Sequence, residues 1–261
     1  MSGQAHRADR RVLNRRTLDR DHRTLAKLLR PGMIVLDIGC GTGAITVGIA
    51  KAVGPGGRVL GIDRDPEQVV EARQLHRDTP NLSFEEGDAL SMSFEARFDV
   101  VNAARTLQWL SQPPEAVVRM KRAAKPGGLV VALDYDHEGN TWDPDPPPAF
   151  RRFYQAFLDW RKANGWDNRM AEHLPDLLRA AGITEVQVHI EDETAQRGDP
   201  DFFDTAGIWT HVIETIGPQV VAAGFLGESE LREADAAARV WVRDALRTQM
   251  LVLRAVVGRA G

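Results

Sequence analysis

A chain of 261 residues that is 43% hydrophobic and 27% charged has the size and composition of one large α/β domain or two small ones, which excludes disordered and fibrous architectures. With 33 basic against 37 acidic residues the net charge is −4, which argues against a general duplex nucleic-acid binder, because neutralising phosphates needs a basic face. No apolar run reaches the ~20 residues of a bilayer crossing, and a single cysteine, Cys40, excludes an internal disulfide or a Cys-rich metal site and points to a reducing, cytoplasmic setting.

Residues 1–30 hold eight Arg, one Lys and three Asp, a balance of +6 that leaves −10 for the remainder. No signal-peptide pattern opens the chain, and Asp9, Asp19 and Asp21 speak against an organelle-targeting segment, which avoids acids. The stretch reads as an exposed N-terminal helical segment, with packing across the mouth of an anionic site as the alternative.

From residue 33 short apolar strands alternate with helical stretches, the pattern of a parallel sheet covered by helices. Met33–Ile38 predicts the first strand, followed by a Gly-rich turn and a helix to about Val53. Arg58–Ile62 is the second strand, and Pro66–Asp78 a helix with proline at its first position. Leu82–Glu86 and Phe98–Asn102 follow as strands, Pro114–Ala124 as a helix, and Leu129–Leu133 as the fifth strand. Pro31-Gly32, Pro55-Gly56 and Pro126-Gly127 each stand just before a strand, where proline ends the preceding helix and glycine accepts the reversal.

After Tyr135 the texture changes. The acidic, proline-rich run Asp136–Pro148 predicts a surface loop. Ala149–Asn164 places Phe150, Phe153, Tyr154, Phe157 and Trp160 at helical spacing, and Leu174–Ala181 predicts a further helix. Glu185–Ile190 alternates like a strand and Gln249–Val257 reads as a closing strand, with 199–247 between them mostly helical and too long for a plain loop. The fold expected is an α/β, doubly wound, mostly parallel seven-stranded sheet with helical insertions. Residues 31–135 would form the ligand-binding core, and 136–182 and 199–247 would supply a lid within the same domain.

In a doubly wound sheet, ligands bind at the carboxyl ends of the strands. The first strand ends in Asp37-Ile38-Gly39-Cys40-Gly41-Thr42-Gly43. Gly39 and Gly41 let the backbone turn sharply, and the next helix points its N–H groups at that space. With Ala44 the loop also fits the dinucleotide fingerprint Gly-x-Gly-x-x-Ala. Asp37, however, lies two residues before Gly39, where a pyrophosphate would gain nothing from a negative charge and an ammonium group would gain much. Asp63, at the second strand end, suits a ribose diol, since a carboxylate accepts from both hydroxyls. Asp88, at the third, could accept from an adenine amino group while the Ala89 N–H donates to a ring nitrogen. Each acid taken alone could merely cap a helix or start a turn.

The ordered set VLDIGCGTG (35–43), VLGID ending at Asp63, EEGDAL (85–90), FDVVNAARTLQWL (98–110) and KPGGLVVALD (125–134) resembles the class I S-adenosylmethionine-dependent methyltransferases. The similarity covers about residues 25–135 and is strongest to the ubiquinone/menaquinone-biosynthesis-like small-molecule group. The resemblance implies a Rossmann-like methyltransferase fold and S-adenosylmethionine as cofactor. It further implies that Gly39, Cys40 and Gly41 line the cofactor, with Asp37 near its methionine amine and Asp63 on the ribose. Arg64 would lie beside the adenine, Asp88 and Ala89 on its edge, and Ala104 and Arg105 near the sulfur end. Gln108 stands where the family often has His, so a role for that histidine does not carry over.

Methyl transfer from a sulfonium needs chiefly an aligned nucleophile, and some acceptors also need a base. Tyr135, Asp136 and His137 follow the fifth strand as catalytic candidates, His137 first because its ordinary pKa is near neutral. The same segment also reads as a solvated loop whose acids start turns. The expected acceptor is a small, apolar or aromatic metabolite methylated on O, N or C. No nucleic-acid partner, metal or membrane span is expected, and a homodimer is the assembly state carried with this reading. Two other readings remain: a non-catalytic S-adenosylmethionine-binding module, and an NAD(P)-dependent oxidoreductase.

Overall fold

The structure is a computed structural model that describes residues 14–261. The first 13 residues of the segment expected to be helical over 1–30 lie outside the described residues, together with Asp9. The rest of that segment forms two short helices, α1 (Leu18–Asp21) and α2 (Arg23–Leu28). Two compact units divide the chain.

The first unit comprises 14–135, Met170–Glu191 and Leu253–Gly261. Its strands are β1 (Ile34–Ile38), β2 (Arg58–Asp63), β3 (Leu82–Glu86) and β4 (Phe98–Ala104), then the start of β5 (Ala124–Asp143), then β6 (Ile183–Ile190) and the end of β8 (Thr248–Ala260). The strand order is β3-β2-β1-β4-β5-β8-β6. β1 pairs in parallel with β2 and β4, β2 with β3, and β4 with β5, whereas β6 and β8 are antiparallel. Helices α3 (Ala44–Val53), α4 (Pro66–Leu75), α5 (Pro113–Ala123) and α7 (Met170–Ala180) belong to this unit.

Alternation along the strands explains why the apolar runs are unbroken. Val35, Val59, Val100 and Val131 join a cluster with Leu18, Leu25 and Leu29 and with Ile49 and Val53 of α3. Leu36, Leu60, Val101 and Val130 join another with Val117 and Met120 of α5 and Leu174 and Leu178 of α7. A sheet buried on both faces needs apolar residues at every step.

The second unit comprises Asp136–Arg169 and Asp192–Val252. It holds α6 (Pro148–Ala163), β7 (Glu193–Gln196), α8 (Phe202–Ala206), α9 (Ile208–Thr215), α10 (Gly217–Ala222) and α11 (Glu228–Asp244). β7 pairs antiparallel with Thr248–Leu251 of β8. Around Trp209 stand Tyr154, Phe157, Phe150 and Trp142, with ring centroids 4.8, 5.7, 6.2 and 6.4 Å away.

Three expectations change. The sheet has eight strands rather than seven, because β7 carries no apolar alternation in sequence. Residues 136–143 are strand, not loop: Asn140 Oδ1 accepts the Val252 N–H at 2.8 Å and Trp142 Nε1 donates to Gln249 Oε1 at 3.0 Å, so side-chain hydrogen bonds tie to β8 a stretch that lacks apolar alternation. Finally, α7 carries Pro175 inside it and packs in the first unit's core, so the inserted part ends at Arg169 and not at residue 182.

The close approach of α1 to α3 gives a prediction. A Cβ built on Gly48 would lie 2.6 Å from Leu18 Cβ. Gly48→Ala, ordinarily helix-stabilising, should therefore destabilise by about 1–3 kcal/mol, read as a lowered midpoint in urea; a raised midpoint would contradict this packing.

Candidate functional site

β1 ends at Ile38 and the chain turns through Gly39, Gly41 and Gly43, all at positive φ of +70°, +54° and +80°. The Gly39 and Cys40 N–H groups both donate to the Ile62 carbonyl, at 2.8 and 3.1 Å, which ties the turn to β2. Asp63, at the end of β2, accepts the Gly41 N–H on Oδ2 at 2.8 Å and the Asp65 N–H on Oδ1 at 2.9 Å. Burial raises its pKa, and these hydrogen bonds partly offset the rise. A crevice opens here, lined by Arg16, Asp37, Gly39, Cys40, Thr42 and Ala104. Thr42 Oγ1 donates to Asn14 Oδ1 at 2.6 Å, so the chain before α1 reaches the loop as well.

Asp37 is the buried charge of the site, 4% exposed. Thr46 Oγ1 donates to its Oδ2 and Asn102 Nδ2 to its Oδ1, each at 2.7 Å. Burial pushes its pKa up to about 6; the two hydrogen bonds pull downward and the Asp63 charge pushes upward. Thr46 lies in the first turn of α3, so the positive end of that helix already faces an anion, the Asp37 carboxylate. Asn102 in turn accepts on Oδ1 from His22 Nε2 at 2.8 Å.

The other residues singled out in sequence fall into groups. The Cys40 side chain packs with Val69, Ala72 and Phe84, and burial followed by the Asp37 and Asp63 charges drives its thiol pKa well up. Arg64 is exposed. Asp88 accepts the Leu90 N–H on Oδ1 at 2.8 Å and Ala89 is buried beside it. Ala104 lines the crevice, while Arg105, at a positive φ of 58°, sends its guanidinium to Tyr135 Oη at 3.1 Å and the Asp21 carbonyl at 3.0 Å.

The three catalytic candidates are not gathered into one constellation. The Tyr135 hydroxyl is engaged by Arg105, and Asp136 Oδ1 accepts the Glu138 and Gly139 N–H groups at 3.0 Å each. His137 is buried in the second unit, its N–H donating to the Asn168 carbonyl at 2.7 Å and its ring edge-on to Phe157 and Trp209. Burial, then the Arg161 charge, holds its pKa well below the ordinary value, so it stays neutral.

Sequence reasoning missed Thr46, Asn102, His22, Thr42 and Arg16. Asn102 did carry a signal, as a polar residue ending an apolar strand run; His22 carried none. Among the described residues no group of three or more His, Cys, Asp or Glu is placed to hold a metal ion, and no helix is long and apolar enough to cross a membrane.

A nucleoside sulfonium fits these donors and acceptors. A carboxylate mostly ionised above pH 6 lines the crevice, and Asp63 has lone pairs beyond the two it uses. A sequence profile described as a methyltransferase domain matches residues 29–182. The chain is 36% identical over 179 residues to a demethylmenaquinone methyltransferase of Staphylococcus aureus, covering 61% of this chain and 71% of that protein. It is 38% identical over 146 residues to an uncharacterised transposon protein of Streptomyces fradiae, covering 56% of this chain but only 42% of that protein. Among solved structures, a Haemonchus contortus phosphoethanolamine N-methyltransferase aligns at TM-score 0.59 and 17% identity over 92% of this chain and 52% of its own. An S-adenosylmethionine-dependent methyltransferase from Aquifex aeolicus aligns at 0.53 and 18% over 94% and 92%. These last two likenesses establish the fold.

The loop geometry is testable by itself. A Cβ on Gly39 would lie 2.2 Å from Thr106 Oγ1, at a φ that L-residues rarely adopt. Gly39→Ala should lower the thermal midpoint by several degrees, and Thr106→Ala in the same chain should recover only part of it, because the positive φ remains strained. Full recovery would show that φ carries no strain.

Proposed function

Because this chain belongs to the class I S-adenosylmethionine-dependent methyltransferases, in the group that includes the quinone-biosynthesis enzymes, we propose that it transfers a methyl group to O, N or C of a small apolar or aromatic metabolite. The observation that carries this reading is the Asp37 carboxylate, buried, hydrogen-bonded and lining the crevice beside the glycine turn. When bound, S-adenosylmethionine supplies a methyl group already activated on a positively charged sulfur.

In this proposal the residues have separate tasks. Asp37 receives the ammonium of the methionine tail, and Asp63, held by two backbone N–H groups, accepts from the ribose hydroxyls. The turn at Gly39, Cys40 and Gly41 brings main chain rather than side chain against the ligand, and Ala104 leaves room at the sulfur end. Arg64 borders the adenine, with Asp88 and the Ala89 N–H on its edge. Arg105 acts through Tyr135 and the Asp21 carbonyl, fixing the end of β4 rather than touching the ligand. Where the acceptor carries an O–H or N–H, His137 is the proposed proton acceptor, kept neutral by its surroundings. Alignment and exclusion of water do the rest. The helices at 199–247 and the aromatic helix α6 are assigned to acceptor selection.

A nicotinamide dinucleotide suits the site less well, because the buried Asp37 carboxylate stands at the first turn of α3, where a pyrophosphate would meet its negative charge. The cytoplasmic setting, the absence of a nucleic-acid partner and the homodimer belong to the same proposal, the first two supported by one cysteine and a charge of −4.

Calorimetry should show S-adenosylhomocysteine binding and no heat with NADH. The affinity should fall as pH drops through about 6, where Asp37 protonates, approaching tenfold per pH unit below that; a flat profile from pH 5 to 8 would remove Asp37 from ammonium binding. With labelled cofactor, a panel of phenols, amines and quinones should yield a methylated product, and binding without any transfer would favour the non-catalytic module. His137→Gln should lower kcat at least tenfold for an O–H or N–H acceptor with unchanged S-adenosylhomocysteine affinity. Unaltered kcat would exclude it as base.

A further inference from the structure

An Asn side chain is nearly isosteric about its amide, so the oxygen and nitrogen ends exchange places at almost no steric cost. Which end faces Asp37 decides whether that carboxylate is stabilised by a donor or opposed by a second oxygen. Asn102 is fully buried, so neighbouring groups alone fix the choice. Opposite Asp37 it meets His22 Nε2 at 2.8 Å. With Nε2 carrying the proton, His22 donates to Asn102 Oδ1, and the amide N–H₂ is left pointing at Asp37 Oδ1 at 2.7 Å.

His22 is itself held for this task. It joins α1 to α2 in a non-helical conformation, φ −154°, ψ 60°. On one side the Asp21 carbonyl accepts from Arg105. On the other, the Arg23 and Thr24 N–H groups are both taken by the buried Glu191 carboxylate. The ring is fully buried and its Nδ1 has no hydrogen-bond partner among the described residues. An unprotonated nitrogen tolerates that; an N–H there would be a buried donor left unsatisfied, which is the costlier arrangement. The Nε2–H tautomer is therefore the one this interior selects.

From this geometry we propose that His22 and Asn102 are positioning residues for the cofactor's ammonium group: His22 orients the Asn102 amide, and Asn102 holds the Asp37 carboxylate ionised and aimed. The proposal rests on the reading of Asp37 given above. It draws a residue lying outside the matched segment 29–182 into the site.

The test compares two ligands that share the adenosine and sulfur portion. S-adenosylhomocysteine has the ammonium; 5′-methylthioadenosine lacks it. In the unaltered protein, S-adenosylhomocysteine should bind at least tenfold more tightly. His22→Phe should lower that preference about tenfold while leaving 5′-methylthioadenosine binding within twofold, and His22→Gln, which restores an N–H donor, should recover part of the loss. Equal weakening of both ligands would mean that His22 only supports the fold, and no change in either would end the proposal. Absence of any S-adenosylhomocysteine binding, or of a preference for it, in the unaltered protein would instead refute the reading of Asp37. Should His22→Phe fail to fold, ¹⁵N NMR of the unaltered, ligand-free protein decides: the Nε2–H tautomer is expected and Nδ1–H overturns the proposal.

Discussion

A carboxylate buried at the carboxyl end of β1 has to be satisfied by its neighbours, and much of the core unit is arranged around that requirement. An unpaired buried charge costs several kcal/mol, so Asp37 obliges a donor on each oxygen. Thr46 provides one because α3 begins within reach of the strand it follows. Asn102 provides the other because β4 lies beside β1 with Asp37 opposite Asn102 in register. On the other flank Asp37 faces Gly61 of β2, where a side chain would strike Phe84 and the Cys40 sulfur. The strand order is thus also an electrostatic arrangement.

Asp37 and Asp63 share one difficulty, burial. Both have raised pKa values, through burial first, and the Asp63 charge adds to the rise at Asp37. Two acids close enough to interact, each braced by N–H or O–H donors and one of them lining the crevice, favour a ligand that brings a cation to one and hydroxyls to the other. Burial, and then the same two charges, drive the pKa of the Cys40 thiol upward. A small apolar residue is what the turn needs at that position, since its side chain packs against Phe84 on the far side.

Local spacing revealed what local interactions determine. The turn from Asp37 to Gly43, the acids at strand ends and the β-α alternation through Leu133 all arise from residues a few positions apart. The partners that satisfy Asp37 do not. His22 and Asn102 are 80 positions apart, and a histidine between two short helical stretches gives no sign of where its ring will go. The extension of β5 to Asp143 escaped for a different reason. Its Asp, Gly and Asn residues have turn propensity, yet their side chains and backbone pair with β8 and neighbouring segments, and tertiary context overrides propensity. The short β7 offered nothing periodic to read. Tyr135, Asp136 and His137 are consecutive in sequence, but along a strand only alternate residues share a face, so adjacency puts Asp136 on the face opposite to that of Tyr135 and His137.

The second unit is organised on a different principle from the first. Its interior gathers ring faces and edges around Trp209, and its buried cation, Arg161, is met by Asn168 Oδ1 at 2.8 Å and by the Phe157 ring at 5.5 Å. The imidazole among those rings is that of His137, whose pKa burial holds well below the ordinary value. A reaction whose electrophile arrives already activated asks chiefly for shape, alignment and exclusion of water. The proposed division of labour rests on this contrast: polar groups braced by sheet register hold a charged nucleoside, and an aromatic unit inserted after Tyr135 and after β6 discriminates among acceptors by fit.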